Sequence, residues 1–168
     1  SAVENDGCLR ISGSTGPGPW GGKTLRSART YNVSPMNPLM VDVDRLSIAG
    51  SGTNRRSSLW LWRNDNEYIQ VSQDIAGLNW EYNLSGSKYE DFGNPYPGRF
   101  KFASFGKGPG KPLLKCLDVG PHSMKIWYDG YLVRIYIDGV LCGEDHTYGW
   151  NTDIHIMLTA EAKQPGDT

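Results

Sequence analysis

Apolar side chains recur at every second position through most of this chain, and a period of two is the repeat of a β-strand. Hardly any segment shows the spacing of a helix. The alternation predicts strands at Leu39 to Asp44, Ser58 to Trp62, Glu67 to Ser72, Trp80 to Asn83, Arg99 to Phe102, Ser123 to Tyr128, Leu132 to Ile137, Val140 to Cys142 and Asp153 to Ala162. Many short strands separated by turn residues are typical of an all-β sandwich or barrel.

Two Asp-Gly dipeptides predict tight hairpins, since Asp-Gly between alternating segments favours a two-residue turn. Around Asp129-Gly130 the predicted pairs are Tyr128 with Tyr131, Ile126 with Val133 and Met124 with Ile135. Around Asp138-Gly139 they are Ile137 with Val140 and Ile135 with Cys142. One face of this sheet is then apolar, and the other carries Lys125, Trp127, Arg134 and Tyr136.

The length of 168 residues suits a single domain covering residues 1–168, which we interpret as one module of a larger exported protein. Glycine- and proline-rich stretches at Gly13 to Gly22, Gly86 to Gly98 and Gly106 to Pro112 are predicted to be surface loops. The net charge is -1, and no basic stripe is present, which argues against a nucleic-acid partner. No apolar run approaches the roughly 20 residues of a membrane span.

Two stretches resemble recurrent segments of one superfamily. The stretch from Met124 to Gly143 contains KIWYDGYLVRIYIDGVLCG, and the stretch from Ser57 to Gln73 reads SSLWLWRNDNEYIQVSQ. Both resemble segments of the concanavalin A-like lectin/glucanase superfamily. Laminin G-like and pentraxin-like domains carry a pattern similar to the first stretch, with strand, turn, strand, Asp-Gly and strand in that order. The resemblance implies a two-sheet antiparallel β-sandwich, a jelly roll, with ligands held on a concave face or at the loop rim.

An excess of aromatic residues suggests a sugar site, because the apolar C–H face of a pyranose stacks on Trp or Tyr while its hydroxyls need planar polar partners. Ile69 and Val71 are the expected core pair of their strand. Trp60 and Trp62 share one face of theirs and Leu59 and Leu61 the other, so the sequence leaves open which pair is core. The outward, ligand-binding set is predicted to be Tyr68, Gln70, Trp80, Tyr82, Trp127, Arg134 and Tyr136.

The signs of an enzyme are weaker than those of a binding site. The glucanase branch of the superfamily has a strand with E-x-D-x-x-E, and this sequence has no such run. His155 and Glu161 share a strand face but lie roughly 20 Å apart along it, so direct acid/base pairing is not expected. No G-x-S-x-G nucleophile motif is present.

Acidic residues near the two termini suggest a metal site. A jelly roll brings its ends together, so Glu4, Asp6 and Asp167 are candidate ligands of a structural Ca²⁺. The alternative is that such residues only shape turns. The three cysteines, Cys8, Cys116 and Cys142, fit either a bridge from Cys116 to Cys142 with one free thiol or three reduced thiols.

These observations favour a secreted or cell-surface, non-catalytic carbohydrate-binding module for a polysaccharide or oligosaccharide. Two alternatives stay open: a small glycan-active enzyme, either a glycoside hydrolase or a polysaccharide lyase, and a laminin G-like adhesion domain. No membrane insertion is expected, and other domains of the same polypeptide are expected partners. The sequence does not identify the sugar.

Overall fold

A computed structural model of the chain describes residues 2–13, 21–51, 55–74, 79–85, 100–105, 119–146, 149–162, 164 and 167. These residues form strands and no helix, so the predicted all-β class is confirmed. The strands are β1 (Ala2–Asn5), β2 (Cys8–Ile11), β3 (Gly21–Arg26), β4 (Leu39–Arg45), β5 (Arg55–Asn64), β6 (Glu67–Asp74), β7 (Asn79–Ser85), β8 (Phe100–Phe105), β9 (His122–Tyr128), β10 (Leu132–Ile137), β11 (Val140–His146) and β12 (His155–Ala162). The predicted loops at Gly86 to Gly98 and Gly106 to Pro112, like Arg99, lie outside the described residues.

The strands form a sandwich of two antiparallel sheets, as predicted. One sheet has four strands in the order β11-β10-β9-β4, and the other has six in the order β3-β12-β5-β6-β7-β8. Strands β1 and β2 pair only with each other, in a separate hairpin. Among the described residues, no helix is long and apolar enough to cross a membrane.

The core lies between the two large sheets and is built by the alternation of each strand. Leu59 and Leu61 of β5 are fully buried, which settles that the leucine pair is core and the Trp60 and Trp62 pair faces outward. At one end of the core, the Tyr128 ring packs 4.8 Å from the Trp150 ring, centroid to centroid. The Tyr128 hydroxyl donates to the Trp150 carbonyl at 2.6 Å, which satisfies the buried phenol.

The hairpin between β9 and β10 has a longer loop than predicted. Tyr128 pairs with Val133, so the predicted pairing of Tyr128 with Tyr131 is wrong by two residues. The reason is the Asp129 side chain, which accepts hydrogen bonds from the backbone N–H groups of Tyr131 and Leu132 at 2.8 and 2.7 Å and thereby forms a wider turn. A slip of two residues preserves side-chain direction, so the predicted core face is still correct.

The β10–β11 hairpin has the predicted tight turn but contains a bulge further along. Ile137 pairs with Val140 as predicted, whereas Ile135 pairs with Gly143 and not with Cys142, because the register shifts between Ile135 and Tyr136. The bulge brings Gly143 against the Tyr82 ring of the other sheet, where an added Cβ would lie 2.6 Å from Tyr82 Cε1. A glycine is therefore needed at this contact between the sheets.

Strands β1 to β3 were not predicted, because they do not alternate in the way that a half-buried strand does. Both faces of β1 and β2 are mostly exposed. Strand β3 begins with two glycines, and a Cβ on Gly22 would overlap the Ala160 carbonyl of β12. Cys8 and Cys142 are free thiols, and Cys116 lies outside the described residues.

Candidate functional site

Strand pairing assembles one continuous polar and aromatic surface on the outer face of the six-stranded sheet. Side chains on paired residues of neighbouring strands point the same way, so each row across the sheet is read from the register. One row joins Met157, Trp60, Gln70 and Asn83, the next joins Thr159, Ser58, Ser72 and Glu81, and flanking rows hold Glu161 with Arg56 and Trp62 with Tyr68. We call this surface the outer face.

An open groove of about 290 Å³ lies on the outer face. Aromatic, acidic, basic and hydroxyl side chains all contribute to its lining, which consists of Thr24, Arg56, Trp60, Trp62, Asp65, Tyr68, Met157, Thr159 and Glu161. The volume is near the lower end of the range for small-ligand pockets. The groove is therefore large enough for a small ligand or for a short segment of a longer one.

Half-buried aromatic rings form one wall of the groove. The centroids of the Trp60 and Tyr68 rings lie 5.2 Å apart, with their planes tilted by 55°. The Arg26 guanidinium lies over the Trp62 ring, 5.2 Å from its centroid, so that face of Trp62 is already covered. Trp60 and Tyr68 are consequently the rings best placed to receive an apolar ligand face.

Arg56 lies between two carboxylates. Its Nη1 is 3.3 Å from Glu81 Oε1, and its Nε donates to Glu161 Oε2. The exposed fraction of the side chain is 12% for Arg56, 11% for Glu81 and 8% for Glu161. The three charges therefore compensate one another where little water reaches them. The Glu161 carboxylate also accepts the Thr159 hydroxyl at 2.5 Å, and Thr159 accepts the Trp60 indole N–H at 3.0 Å.

A ladder of amides lies beside this ion-pair network on the outer face. Gln70 donates to the Ser58 hydroxyl at 3.1 Å, and Asn83 donates to Gln70 Oε1 at 2.7 Å. Both amide side chains are buried. The buried Asn83 Oδ1 accepts no hydrogen bond among the described residues, so it keeps acceptor capacity on the outer face.

Burial raises the pKa of the Tyr68 phenol above its ordinary value of 10.0, and the nearby Arg56 opposes that rise while Asp65 and Glu161 add to it. The hydroxyl therefore stays protonated at neutral pH. It can both donate and accept a hydrogen bond at the groove wall.

The predicted ligand-binding residues do not form one surface. Tyr68 and Gln70 lie on the outer face, as predicted, although Gln70 is buried beneath it. The prediction that Trp80 and Tyr82 face outward is wrong, because both are core residues, 0% and 6% exposed. Leu84 is buried on the same face of β7, and the alternate residues Glu81 and Asn83 belong to the outer face.

Trp127, Arg134 and Tyr136 do face outward, but from the four-stranded sheet, on the opposite side of the sandwich. The Arg134 guanidinium lies 5.0 Å from the centroid of the Trp127 ring, and Arg134 Nε is held by Glu144 Oε2 at 2.7 Å. These three residues thus form a second, separate surface.

The predicted ligand-binding set omits Arg56, Glu81 and Glu161, which lie on three different strands. From the sequence, Glu161 is considered only as an acid/base partner of His155. Arg56 shares the parity of Trp60, whose direction the sequence leaves open. Glu81 alternates with Trp80 and Tyr82, so the wrong outward assignment of those two rings turns Glu81 toward the core. The sequence does not reveal the strand order that places β12 beside β5, so it could not predict that Glu161 meets Arg56.

The predicted calcium ligands are not assembled into a cluster. Among the described residues, no three His, Cys, Asp or Glu side chains come together to hold a metal ion. Asp6 occupies the turn of the β1–β2 hairpin with a φ of 51°, a conformation that Asp adopts readily, so its presence has a local explanation. Calcium binding by Glu4, Asp6 and Asp167 stays a prediction.

No protein-family model and no curated protein matches this chain. Solved structures do match it over nearly its full length. The carbohydrate binding module CBM66 from Bacillus subtilis is 12% identical with a TM-score of 0.57, covering 99% of this chain and 89% of the module. The carbohydrate recognition domain of Emp46p is 14% identical with a TM-score of 0.62, covering 99% of this chain and 80% of that domain.

A third similar structure is an enzyme. The laminarinase catalytic domain from Thermotoga maritima is 13% identical with a TM-score of 0.59, covering 98% of this chain and 72% of that domain. Identities this low establish the fold alone, which is the concanavalin A-like jelly roll. The fold that the resemblance implied is confirmed.

Proposed function

We propose that this chain is a non-catalytic carbohydrate-binding domain whose ligand occupies the groove on the outer face of the six-stranded sheet. The observation that carries the proposal is the composition of that groove, where the Trp60 and Tyr68 rings stand beside the hydrogen-bonded Arg56 and Glu161. A sugar needs both elements at once, an apolar surface for its C–H face and planar polar groups for its hydroxyls.

Ligand hydroxyls have suitable partners in this groove. Carboxylate oxygens of Glu161 and Asp65 can accept hydrogen bonds, the Arg56 guanidinium can donate them, and the neutral Tyr68 hydroxyl can do either. Hydrogen bonds to charged groups are stronger than those between neutral groups. Rigid pairing of Arg56 with its two carboxylates also holds these groups in place before a ligand arrives, which reduces the entropy lost on binding.

The ion-pair network favours binding over catalysis. A glycoside hydrolase uses two carboxyl groups, one of which must donate a proton to the leaving oxygen. Here Glu81 and Glu161 both accept hydrogen bonds from the same guanidinium. Both carboxylates are thus engaged with Arg56, which supports a role in holding a ligand.

The solved structures of similar fold include a carbohydrate binding module, a carbohydrate recognition domain and a laminarinase catalytic domain. All three names concern carbohydrates, which supports a glycan ligand. The fold itself accommodates both binding and hydrolysis, so the groove and not the fold is the argument for a non-catalytic role. We also propose that the domain acts outside the cell or at its surface, where structural polysaccharides are found.

The test is binding to immobilised polysaccharides by native affinity electrophoresis, followed by calorimetry on a retained polymer. Tyr68→Ala and Trp60→Ala each remove a contact worth about 1–3 kcal/mol at a binding interface. Affinity is therefore expected to fall roughly tenfold to hundredfold for each variant. Tyr68→Phe keeps the ring and loses only the hydroxyl, so a smaller loss is expected.

The matched control is Trp127→Ala, which removes a half-buried tryptophan from the opposite sheet. This variant should bind as the native chain does. Weakened binding by Trp127→Ala together with native binding by Tyr68→Ala would move the site to the four-stranded sheet. Release of reducing ends or of an unsaturated product from the retained polymer would identify an enzyme instead.

A further inference from the structure

We infer that the groove selects neutral sugar units and rejects units that carry a carboxylate or a sulfate. This inference rests on the proposed function, because it specifies the ligand of the same groove. It follows from the charges that line the groove and from the way in which they are already paired.

The central cation of the groove has no charge to spare for an anionic ligand. Arg56 is compensated twice, by Glu161 and by Glu81, and all three side chains are nearly buried. A sugar carboxylate that bound Arg56 would have to displace one of them, leaving a buried carboxylate without its partner. Breaking a buried ion pair in this way is strongly unfavourable.

The rim of the groove adds a negative charge that no described residue pairs with. Asp65 lies in the exposed turn between β5 and β6, lines the groove and is close enough to Tyr68 to raise the pKa of its phenol. Among the described residues it forms no ion pair. The neighbouring Arg63 is held by Glu67 at 2.6 Å and does not offset this charge.

A second cation, Arg26, lies at the edge of the groove over the Trp62 ring. Including it, the described side chains in and behind the groove comprise three carboxylates, Asp65, Glu81 and Glu161, against two guanidinium groups. An anionic ligand therefore meets net repulsion, whereas the hydroxyls of a neutral sugar can donate to the same carboxylates. Specificity of this kind comes from penalising the wrong ligand.

The experiment compares one polysaccharide in two charge states. A panel of neutral β-glucan, galactan and fructan, with galacturonan and alginate as acidic polymers, is first screened by affinity electrophoresis. The neutral polymer that is retained is then partly oxidised at C6 to the uronate, and a sample of this product is reduced back to the alcohol. Binding should weaken about tenfold or more on oxidation and recover on reduction.

Removal of one rim charge separates electrostatics from shape. Asp65→Asn should improve binding of the oxidised polymer about threefold to tenfold at low ionic strength, with the gain disappearing in concentrated salt. The matched control is Asp44→Asn, which removes an exposed carboxylate from the outer side of the four-stranded sheet and should change nothing.

The outcomes are distinct. Retention of the acidic polymers at least as strong as that of the neutral ones would overturn the charge selection and leave the carbohydrate-binding proposal intact. Equal gains from Asp65→Asn and Asp44→Asn would also overturn it, since the discrimination would then come from net charge and not from the groove. Failure to retain any polymer of the panel would count against both proposals.

Discussion

Replacement of Trp80 by alanine should come close to unfolding the domain, although an aromatic residue in a sugar-binding sandwich is easily mistaken for a ligand contact. Trp80 is fully buried between the sheets. The Arg45 guanidinium lies 5.3 Å from the centroid of its ring, and the His122 ring meets it edge-on at 5.8 Å. The substitution therefore removes a large side chain and a desolvated cation–π contact together.

The magnitude follows from these contacts. Truncation of a core Trp to Ala costs about 3–5 kcal/mol, and a desolvated cation–π contact contributes roughly 2 kcal/mol. A domain of this size has about 5–15 kcal/mol of stability in total. At roughly 2–4 °C per kcal/mol, a total loss of about 5–7 kcal/mol should lower the melting temperature by about 10–28 °C.

The assay is urea denaturation followed by circular dichroism, with Trp127→Ala as the comparison. Trp127 is half-buried on the surface of the four-stranded sheet, where its truncation should cost about 1 kcal/mol or less. Trp80→Phe keeps an aromatic ring beside Arg45 and should lose less than Trp80→Ala. Equal losses for Trp80→Ala and Trp127→Ala would refute the assignment of Trp80 to the core.

The remaining predictions concern charge, alkaline pH and metal. Arg56→Ala leaves two nearly buried carboxylates without their cation, so it should lower the free energy of unfolding in urea by about 3–5 kcal/mol. The double variant Arg56→Ala/Glu161→Ala should recover part of this loss, because it also removes one of the unpaired carboxylates. An additive loss in the double variant would contradict the ion-pair network. Burial raises the pKa of Tyr68 and Tyr82 above 10.0, so above pH 10.0 the unfolded chain loses these protons first. Stability should accordingly be unaffected by these groups below pH 10.0 and fall as the pH rises further, which denaturation at a series of alkaline pH values would check. If the proposed calcium is bound, a chelator should lower the melting temperature and added Ca²⁺ should restore it, whereas an unchanged melting curve would exclude calcium as a stabilising ligand.

Much of the fold follows from the period of two alone. The alternation predicts the strands of both large sheets apart from β3, and it assigns Ile126 and Ile135 to the core. The predicted core face does not depend on an exact register, since the Asp129 loop displaces the predicted pairs by two residues and leaves the direction of every side chain unchanged. The bulge in β11 is an error of one residue, because it shifts the partner of Ile135 from Cys142 to Gly143, although Cys142 still packs against the core.

The outward prediction for Trp80 and Tyr82 is wrong because it rested on the ability of aromatic rings to stack on sugars and not on the alternation of side chains along strand β7. Strand β7 alternates between Trp80, Tyr82 and Leu84 on one side and Glu81 and Asn83 on the other. The wholly apolar side should be the core side of a half-buried strand, and the structure places it there. Large rings are needed between two sheets that pack about 10 Å apart, so aromatic residues are as much core material as ligand platforms.

The sequence predicts which side chains of a strand share a face, but it does not predict to which of the two sheets each strand belongs. The candidate site depends on that second property. Trp60 and Trp127 both face outward on their strands, yet β5 and β9 belong to different sheets and their side chains point to opposite sides of the sandwich. On the four-stranded sheet, Arg134 and Glu144 come from strands joined by a tight turn, so local sequence can bring them together. On the six-stranded sheet, Arg56 meets Glu161 across 105 residues, because the last strand of the chain pairs beside β5. The ion pair between Arg56 and Glu161 holds β5 and β12 in a fixed relation to each other, so the groove exists only once the last strand has paired beside β5.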